Sequence, residues 1–396
     1  MEGLAYLFER FPSYTQTFCS RELAELQRQG VNPLVFSVRQ PKDEPIDDPR
    51  LTFREAKYFP QDENLVREVD RAIRKRLLPE SVISELTTWG RKTDFLRLYQ
   101  AAWLGPRLKE QGIKHLHAHF AGLAARTAYW IDRFFKIGFS FTAHANDIFA
   151  PKSFEISLGK LIGAARAIVT VSDFSVEFLR EKFPGASDKI LRVYNGIDVD
   201  GFQITDLTTR PPVLIAVGRL IEKKGFADLI EACRLLHQRK VGFRCEIVGE
   251  GPQEAALKAQ VGFAGLENLV VFSGPLAQDE VRARLARSTI FVLPCVTEAE
   301  GGMDNLPTVI MEAMASGLPV ISTALAGIPE MVQDQVTGIL LPEHEPEVLA
   351  KRIESLLADK TLLYSLGTAG RERSANLFAI DKNVARLRQL FSELVR

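Results

Sequence analysis

Twice along its length the chain alternates between short apolar runs and longer helical segments. In the first series LAYLF (Leu4 to Phe8), NPLVFSV (Asn32 to Val38), IKHLHAHF (Ile113 to Phe120), FSFTAHA (Phe139 to Ala145), AIVTVS (Ala167 to Ser172) and KILRVY (Lys189 to Tyr194) read as strands. Residues 42–103 are charged, punctuated by proline and read as mainly helical. NGIDVDGFQITDLTTRPP (Asn195 to Pro212), rich in Gly, Asp, Thr and Pro, is the best linker in the chain. Beyond it PVLIAVGRL, FRCEIVGEGP, LVVFSG, TIFVLPCV and LPVIST read as strands, with helices between them. Strand–helix alternation on both sides of a linker predicts two α/β domains with parallel sheets. The length of 396 residues agrees, being too great for one ordinary core.

Composition narrows the function classes. Fifty Lys plus Arg balance fifty Asp plus Glu, so the chain as a whole makes no case for nucleic acid. Cys19, Cys233, Cys245 and Cys295 are scattered, without CxxC or metal spacing, and read as reduced buried thiols of a cytoplasmic protein. The N-terminus lacks a signal pattern, and no apolar run approaches ~18 residues, so no membrane-spanning helix is expected.

The stretch EAEGGMDNLPTVIMEAMASGLPVISTALAGIPE (Glu298 to Glu330) carries the most chemistry. Asp304 and Glu312 flank a Pro307–Thr308 step that opens an apolar helical run. Proline at the first helical position loses no hydrogen bond. The first N–H groups of the helix, around Thr308 and Val309, then form an anion site. An anion site between two acids suits a charged leaving group with hydroxyl-rich pieces at both ends, as in a nucleotide diphosphate sugar.

VGRLIEKKG (Val217 to Gly225) follows a strand. Gly218 permits a tight turn, and Arg219 and Lys224 can reach the carboxyl edge of the sheet, where open α/β folds bind ligands. Arginine offers a planar fork to phosphate and lysine a point charge. The plain alternative is a solvated basic loop. VGEGP, with Gly249, has no third glycine at dinucleotide-binding spacing; it reads as an ordinary βα turn that lets a ligand approach the backbone.

His115, His117 and His119 alternate along one strand and share one face. No carboxylate or cysteine accompanies them at ligand spacing, so no metal site is expected. His119 is expected to point into a cleft and His115 to pack. His144 ends the next strand, before Asn146 and Asp147, where loops carry chemistry; the alternative is a histidine bonded to backbone. Asp198 and Asp200 form an acidic pair, but in the linker and not at a strand end. Arg71, Arg74, Lys75 and Arg76 cluster on an expected helix, as a solvated face or a contact for anionic lipid.

In this order the motifs resemble the retaining glycosyltransferases of family GT4, which have the GT-B architecture. The resemblance spans almost the whole chain. GRLIEKKG and DNLPTVIMEAMASGLPVIST carry it most closely; FPSYTQTF, HAHFA and FSFTAHANDIF resemble the branch that builds bacterial exopolysaccharides and O-antigens, of colanic-acid type. It implies two Rossmann-like domains facing a central cleft. The first, 1–200, would bind acceptor and regain the final helix (377–396); the second, 201–376, would bind the donor.

Residue by residue, the resemblance implies that Arg219 and Lys224 hold the donor diphosphate and that Glu312 takes the ribose hydroxyls. Asp304 would approach the transferred sugar, with the backbone of Asn305, Leu306, Pro307 and Thr308 beside it, and His144 would line that sugar. Gly218 and Gly249 belong to the donor set. Thr15, His119, Asn146 and Asp147 are candidates for the acceptor or sugar cleft. No metal or other cofactor is implied. The partners are a nucleotide-sugar donor and a glycan or lipid-linked acceptor, placing the chain in the cytoplasm or peripherally on the inner face of the membrane. Two departures stand out. Asp304 replaces the usual glutamate and is about 1.5 Å shorter. The first loop reads ERFPSYTQT, with Thr15–Gln16 where the branch more often has Ser–Glu. Rival readings are an epimerase or phosphorylase of the same fold, and a non-catalytic nucleotide-sugar-binding subunit.

Overall fold

The computed structural model describes residues 2–13, 16–41, 56–90, 92–150, 153–204, 207 and 212–396. Thr15 lies outside them. The chain divides into two compact units: residues 1–171, 175–196 and 380–396, and residues 172–174 and 197–379.

The first unit runs β1 (Leu4–Arg10), α1 (Thr17–Arg28), β2 (Leu34–Arg39), β3 (Lys57–Tyr58), α2 (Asp62–Arg74), α3 (Glu80–Trp89), α4 (Phe95–Glu110), β4 (His115–His119), α5 (Leu123–Phe135), β5 (Gly138–Ala143), α6 (Ala145–Phe149), α7 (Leu158–Ala164), β6 (Ala167–Thr170), α8 (Asp173–Lys182), whose first two residues group with the second unit, and β7 (Ile190–Arg192). Its parallel sheet has the order β3-β2-β1-β4-β5-β6-β7. Alternation along β1 shows why the sheet is covered on both faces. Ala5 and Leu7 join a core with α4 and α5, whereas Leu4, Tyr6 and Phe8 join a second core. That second core includes Cys19 and Leu23 of α1 and Val384, Leu387 and Phe391 of the final helix.

The second unit runs β8 (Val213–Val217), α9 (Phe226–Gln238), β9 (Arg244–Val248), α10 (Glu254–Phe263), β10 (Val270–Gly274), α11 (Gln278–Ala286), β11 (Ile290–Leu293), α12 (Thr308–Ala315), β12 (Val320–Thr323), α13 (Ile328–Met331), β13 (Gly338–Leu341), α14 (Pro346–Ala358) and α15 (Lys360–Leu377). Its sheet order is β10-β9-β8-β11-β12-β13, all parallel. Numbered within each unit, the second sheet reads 3-2-1-4-5-6, the doubly wound order, and the first reads the same with a seventh strand added at the β6 edge. The order reverses between β1 and β4 in one sheet and between β8 and β11 in the other. Loops leaving the carboxyl ends of those two pairs diverge to opposite faces and leave room for a ligand.

Three local expectations need correction. The final helix, α16, is Ile380–Leu394 and begins three residues late, because Leu377 still closes α15. The segment after His144, expected as a loop, is a short helix; Asp147 accepts from the His144 N–H at 2.9 Å and caps it. Pro307 is the N-cap of α12 and not its first residue.

Candidate functional site

The reversal point of the second sheet gathers one constellation. β8 ends in the Gly218–Lys224 loop, and the neighbouring β11 leads through Pro294 and Cys295 towards Asp304. Glu222–Lys224 form a single 3-10 turn closed by Gly225 at φ +67. A Cβ there would lie 1.7 Å from the Pro294 carbonyl oxygen, so only glycine lets the two loops touch. The Val296 N–H donates to the Lys223 carbonyl at 3.0 Å, and the Thr323 hydroxyl to that of Cys295 at 2.6 Å.

Within this frame Asp304 meets both lysines of the turn. Lys224 Nζ pairs with its Oδ2, and Lys223 Nζ lies 3.4 Å from its Oδ1. All three side chains are nearly buried. Burial alone would favour the neutral carboxyl, yet the two ammonium groups outweigh it and hold Asp304 below its ordinary value. Lys224 is displaced upward: burial lowers it, Asp304 more than restores it, and neighbouring Arg219 opposes. The Cys295 thiol, 3.9 Å from Asp304 Oδ2, is pushed up by burial and then by that carboxylate. Arg219 is exposed.

The segment after Asp304 sets the helix tip. Asn305 is buried, and its Oδ1 accepts from the Ser172 hydroxyl at 2.8 Å. Leu306 and Pro307 are buried, and α12 starts at Thr308. The Ile310 N–H turns back to the Pro307 carbonyl at 3.0 Å. The N–H groups of Thr308 and Val309 find no acceptor among the described residues. Glu312 follows Thr308 by four residues, on the same face, and is buried. Gly249, at φ +136, has its missing Cβ 2.0 Å from the Gly218 carbonyl oxygen. The close backbone approach it permits is therefore with the Gly218 loop.

In the first unit the three histidines do share a face, and all are buried. His115 Nε2 and His117 Nδ1 meet the Ser140 hydroxyl at 2.8 Å each, and His117 Nε2 meets that of Thr142 at 3.0 Å. His119 is 1% exposed and faces Glu22 at 3.1 Å, rather than a cleft. Sequence spacing gave no carboxylate near these rings, but α1 delivers Glu22, 97 residues distant from His119, and the Tyr6 hydroxyl donates to the same oxygen at 2.8 Å. Glu22, His117 and His119 offer ligand atoms within 4.8 Å of one another. The hydroxyl partners of His117 and the ion pair of His119 already account for that grouping. Burial pushes His119 down, but Cys19 and Glu22 overcome it and raise it to about 10.

His144 stacks beside His119, with ring centroids 5.8 Å apart, and against Phe120 at 4.5 Å and Phe18 at 4.9 Å. Burial, then the His119 charge, lowers it to about 3, so it is neutral at working pH. Its Nε2 is buried and has no hydrogen-bond partner among the described residues. Asp147, capping α6, is pushed up to about 6 by burial. Asn146 is exposed. Asp198 and Asp200 lie around a 3-10 turn at Val199–Gly201, away from any strand end. Lys223 is the site residue that sequence reasoning passed over: beside Lys224 it read as a solvated charge, and only the 3-10 turn shows that both ammonium groups meet one acid.

Residues 16–200 match the model described as Glycosyltransferase Family 4, and residues 201–373 the model described as Glycosyl transferases group 1. The chain belongs to these glycosyltransferase families. Among curated relatives it is 38% identical over 208 residues to a putative colanic acid biosynthesis glycosyltransferase, WcaL, of Salmonella typhimurium, covering 51% of each chain. It is 40% identical over 166 residues to the amylovoran biosynthesis glycosyltransferase AmsK of Erwinia amylovora, covering 41% of each. The chain thus spans about half the length of the curated relatives it matches, or less. Among solved structures, a glycosyltransferase from Rickettsia africae superposes with TM-score 0.74 at 18% identity, covering 100% of this chain and 99% of that one. Anabaena HepE in complex with UDP and glucose gives TM-score 0.74 at 17% identity, covering 99% and 100%. These likenesses show the GT-B fold.

Proposed function

We propose that this protein is a retaining hexosyltransferase, moving a sugar from a nucleotide diphosphate sugar to a glycan or lipid-linked acceptor in cell-surface polysaccharide biosynthesis. The observation that carries the reading is the cationic turn at the sheet reversal, Lys223 and Lys224 on Asp304 with Arg219 alongside, next to a helix tip whose first N–H groups find no acceptor among the described residues. The WcaL and AmsK names support the polysaccharide context.

Breaking the sugar–phosphate bond builds negative charge on the diphosphate and positive charge at the anomeric carbon. Arg219, Lys224 and the N–H groups of Thr308 and Val309 would stabilise the first charge, each lost donor costing ~3–4 kcal/mol of barrier. Glu312 would bind ribose hydroxyls and Asp304 the sugar, while His144 Nε2, without a hydrogen-bond partner among the described residues, is open to a polar group of a ligand. In this reading the leaving phosphate takes the acceptor proton, attack occurs on the same face, and no metal is needed.

The test is sugar transfer by wild type, Lys224→Ala and Glu312→Ala, with and without excess chelator. Both variants should fold and lose ~10²–10³-fold in rate, with wild type unaffected by chelator. Wild-type turnover in both variants would end the assignment, and strict Mg²⁺ or Mn²⁺ dependence would end the metal-free part of it.

Membrane contact is proposed at Arg71, Arg74, Lys75 and Arg76, which are exposed beside Leu77, itself 70% exposed. Flotation with anionic vesicles, lost on substituting these four, is expected; equal flotation with neutral vesicles would refute it. No described helix is long and apolar enough to cross a membrane.

A further inference from the structure

The acid expected to face the sugar and the lysine expected to face the phosphate are bonded to each other. Lys224 Nζ rests on Asp304 Oδ2, with Lys223 on Oδ1 and the Cys295 thiol closing one side. A carboxylate carries the same kind of oxygen anion as a phosphate and satisfies an ammonium in the same way. A diphosphate that takes Lys224 must therefore win it from Asp304, and a diphosphate that leaves returns it. Lys223 keeps Asp304 from being stranded while Lys224 is engaged elsewhere.

We infer that Asp304 competes with the departing nucleoside diphosphate for Lys224, and so speeds its release after each transfer. The inference rests on the donor-site reading above and adds a step to it. The pair is preformed, so recapture needs only a short swing of two side chains already 13% exposed each. Breaking it in the isosteric amide removes the carboxylate that recaptures Lys224.

Two kinds of charge effect can be separated. A carboxylate that merely repels an incoming anion slows association, whereas one that takes over a bonded partner speeds dissociation. The experiment measures affinity and both rate constants for UDP, GDP, ADP, dTDP and inorganic pyrophosphate. Wild type is compared with Asp304→Asn, Asp304→Glu and Lys224→Ala, each checked for folding by circular dichroism. Asp304→Ser replaces the amide should the latter not fold. Asp304→Asn should bind its preferred diphosphate at least ~10-fold more tightly, with the change in slower dissociation. Asp304→Glu should stay within about threefold of wild type, because it keeps the acid. Unchanged affinity in Asp304→Asn, or a gain lying wholly in association, would overturn the inference while leaving the donor site intact. Failure of the donor-site reading would look different: no probe would bind wild type, or Lys224→Ala would bind as well as wild type.

Discussion

His144 shows how burial selects a chemical role at the scale of one residue. Its ring is packed between Phe18, Phe120 and His119, and its Nε2 is buried without a hydrogen-bond partner among the described residues. An uncompensated buried polar atom is costly, by about 1–3 kcal/mol, unless a ligand satisfies it. Desolvation and the neighbouring His119 charge, itself held by Glu22, keep it neutral. Imidazole NMR should therefore show no His144 titration between pH 5 and 8; a midpoint near the ordinary value of about 6.5 would contradict this. The sequence placed His144 at a strand end correctly, but could not say that it stacks on His119. That contact depends on register between β4 and β5, which no spacing along the chain reveals. Glu22 and Lys223 were missed for the same reason: long-range packing sets the partner of each.

At the scale of elements, strands and their polar turns were legible because apolar alternation and glycine act locally. Helix ends were less so. Pro307 satisfied the rule for a first helical residue, yet its ψ of 113 leaves it just outside α12 as the cap. The turn glycines carry more than local freedom. Gly249 sits at φ +136 with its absent Cβ 2.0 Å from the Gly218 carbonyl oxygen, so the β9 turn and the cationic loop are packed backbone to backbone. Gly249→Ala should lower unfolding free energy by about 2–4 kcal/mol and weaken donor binding. Gly265, also at positive φ but with nothing within 4 Å of a Cβ, is the control, and its alanine should cost only about 1–2 kcal/mol. Equal losses in denaturant unfolding would mean that the loop contact contributes nothing.

At the scale of the whole molecule, two sheets that reverse order at the same place hold their chemistry there. In the second unit it is the Lys224–Asp304 turn between β8 and β11, and in the first the Glu22–His119 pair between β1 and β4. The buried histidines tie stability to pH. His115 is pushed down to about 3, by burial and then by Arg166, while the unfolded chain titrates near 6.5. Between those values the unfolded form binds a proton that the native form refuses. Stability therefore falls on acidification, by up to about 1.4 kcal/mol per pH unit for each such histidine. Asp147, raised to about 6, acts in the opposite sense, since its contribution is lost as pH rises through that value. The thermal midpoint of His115→Gln should depend less steeply on pH from 6 to 4 than that of wild type; equal slopes would remove His115 from the account.

The central claim is that one cationic turn and one helix tip grip the donor diphosphate, and a crystal structure of the protein with its nucleotide sugar tests it most directly. The account predicts both phosphates within about 3 Å of the Arg219 guanidinium, the Lys224 ammonium and the N–H groups of Thr308 or Val309. Phosphates bound elsewhere, with Lys224 still on Asp304 and the tip of α12 facing water, would contradict it.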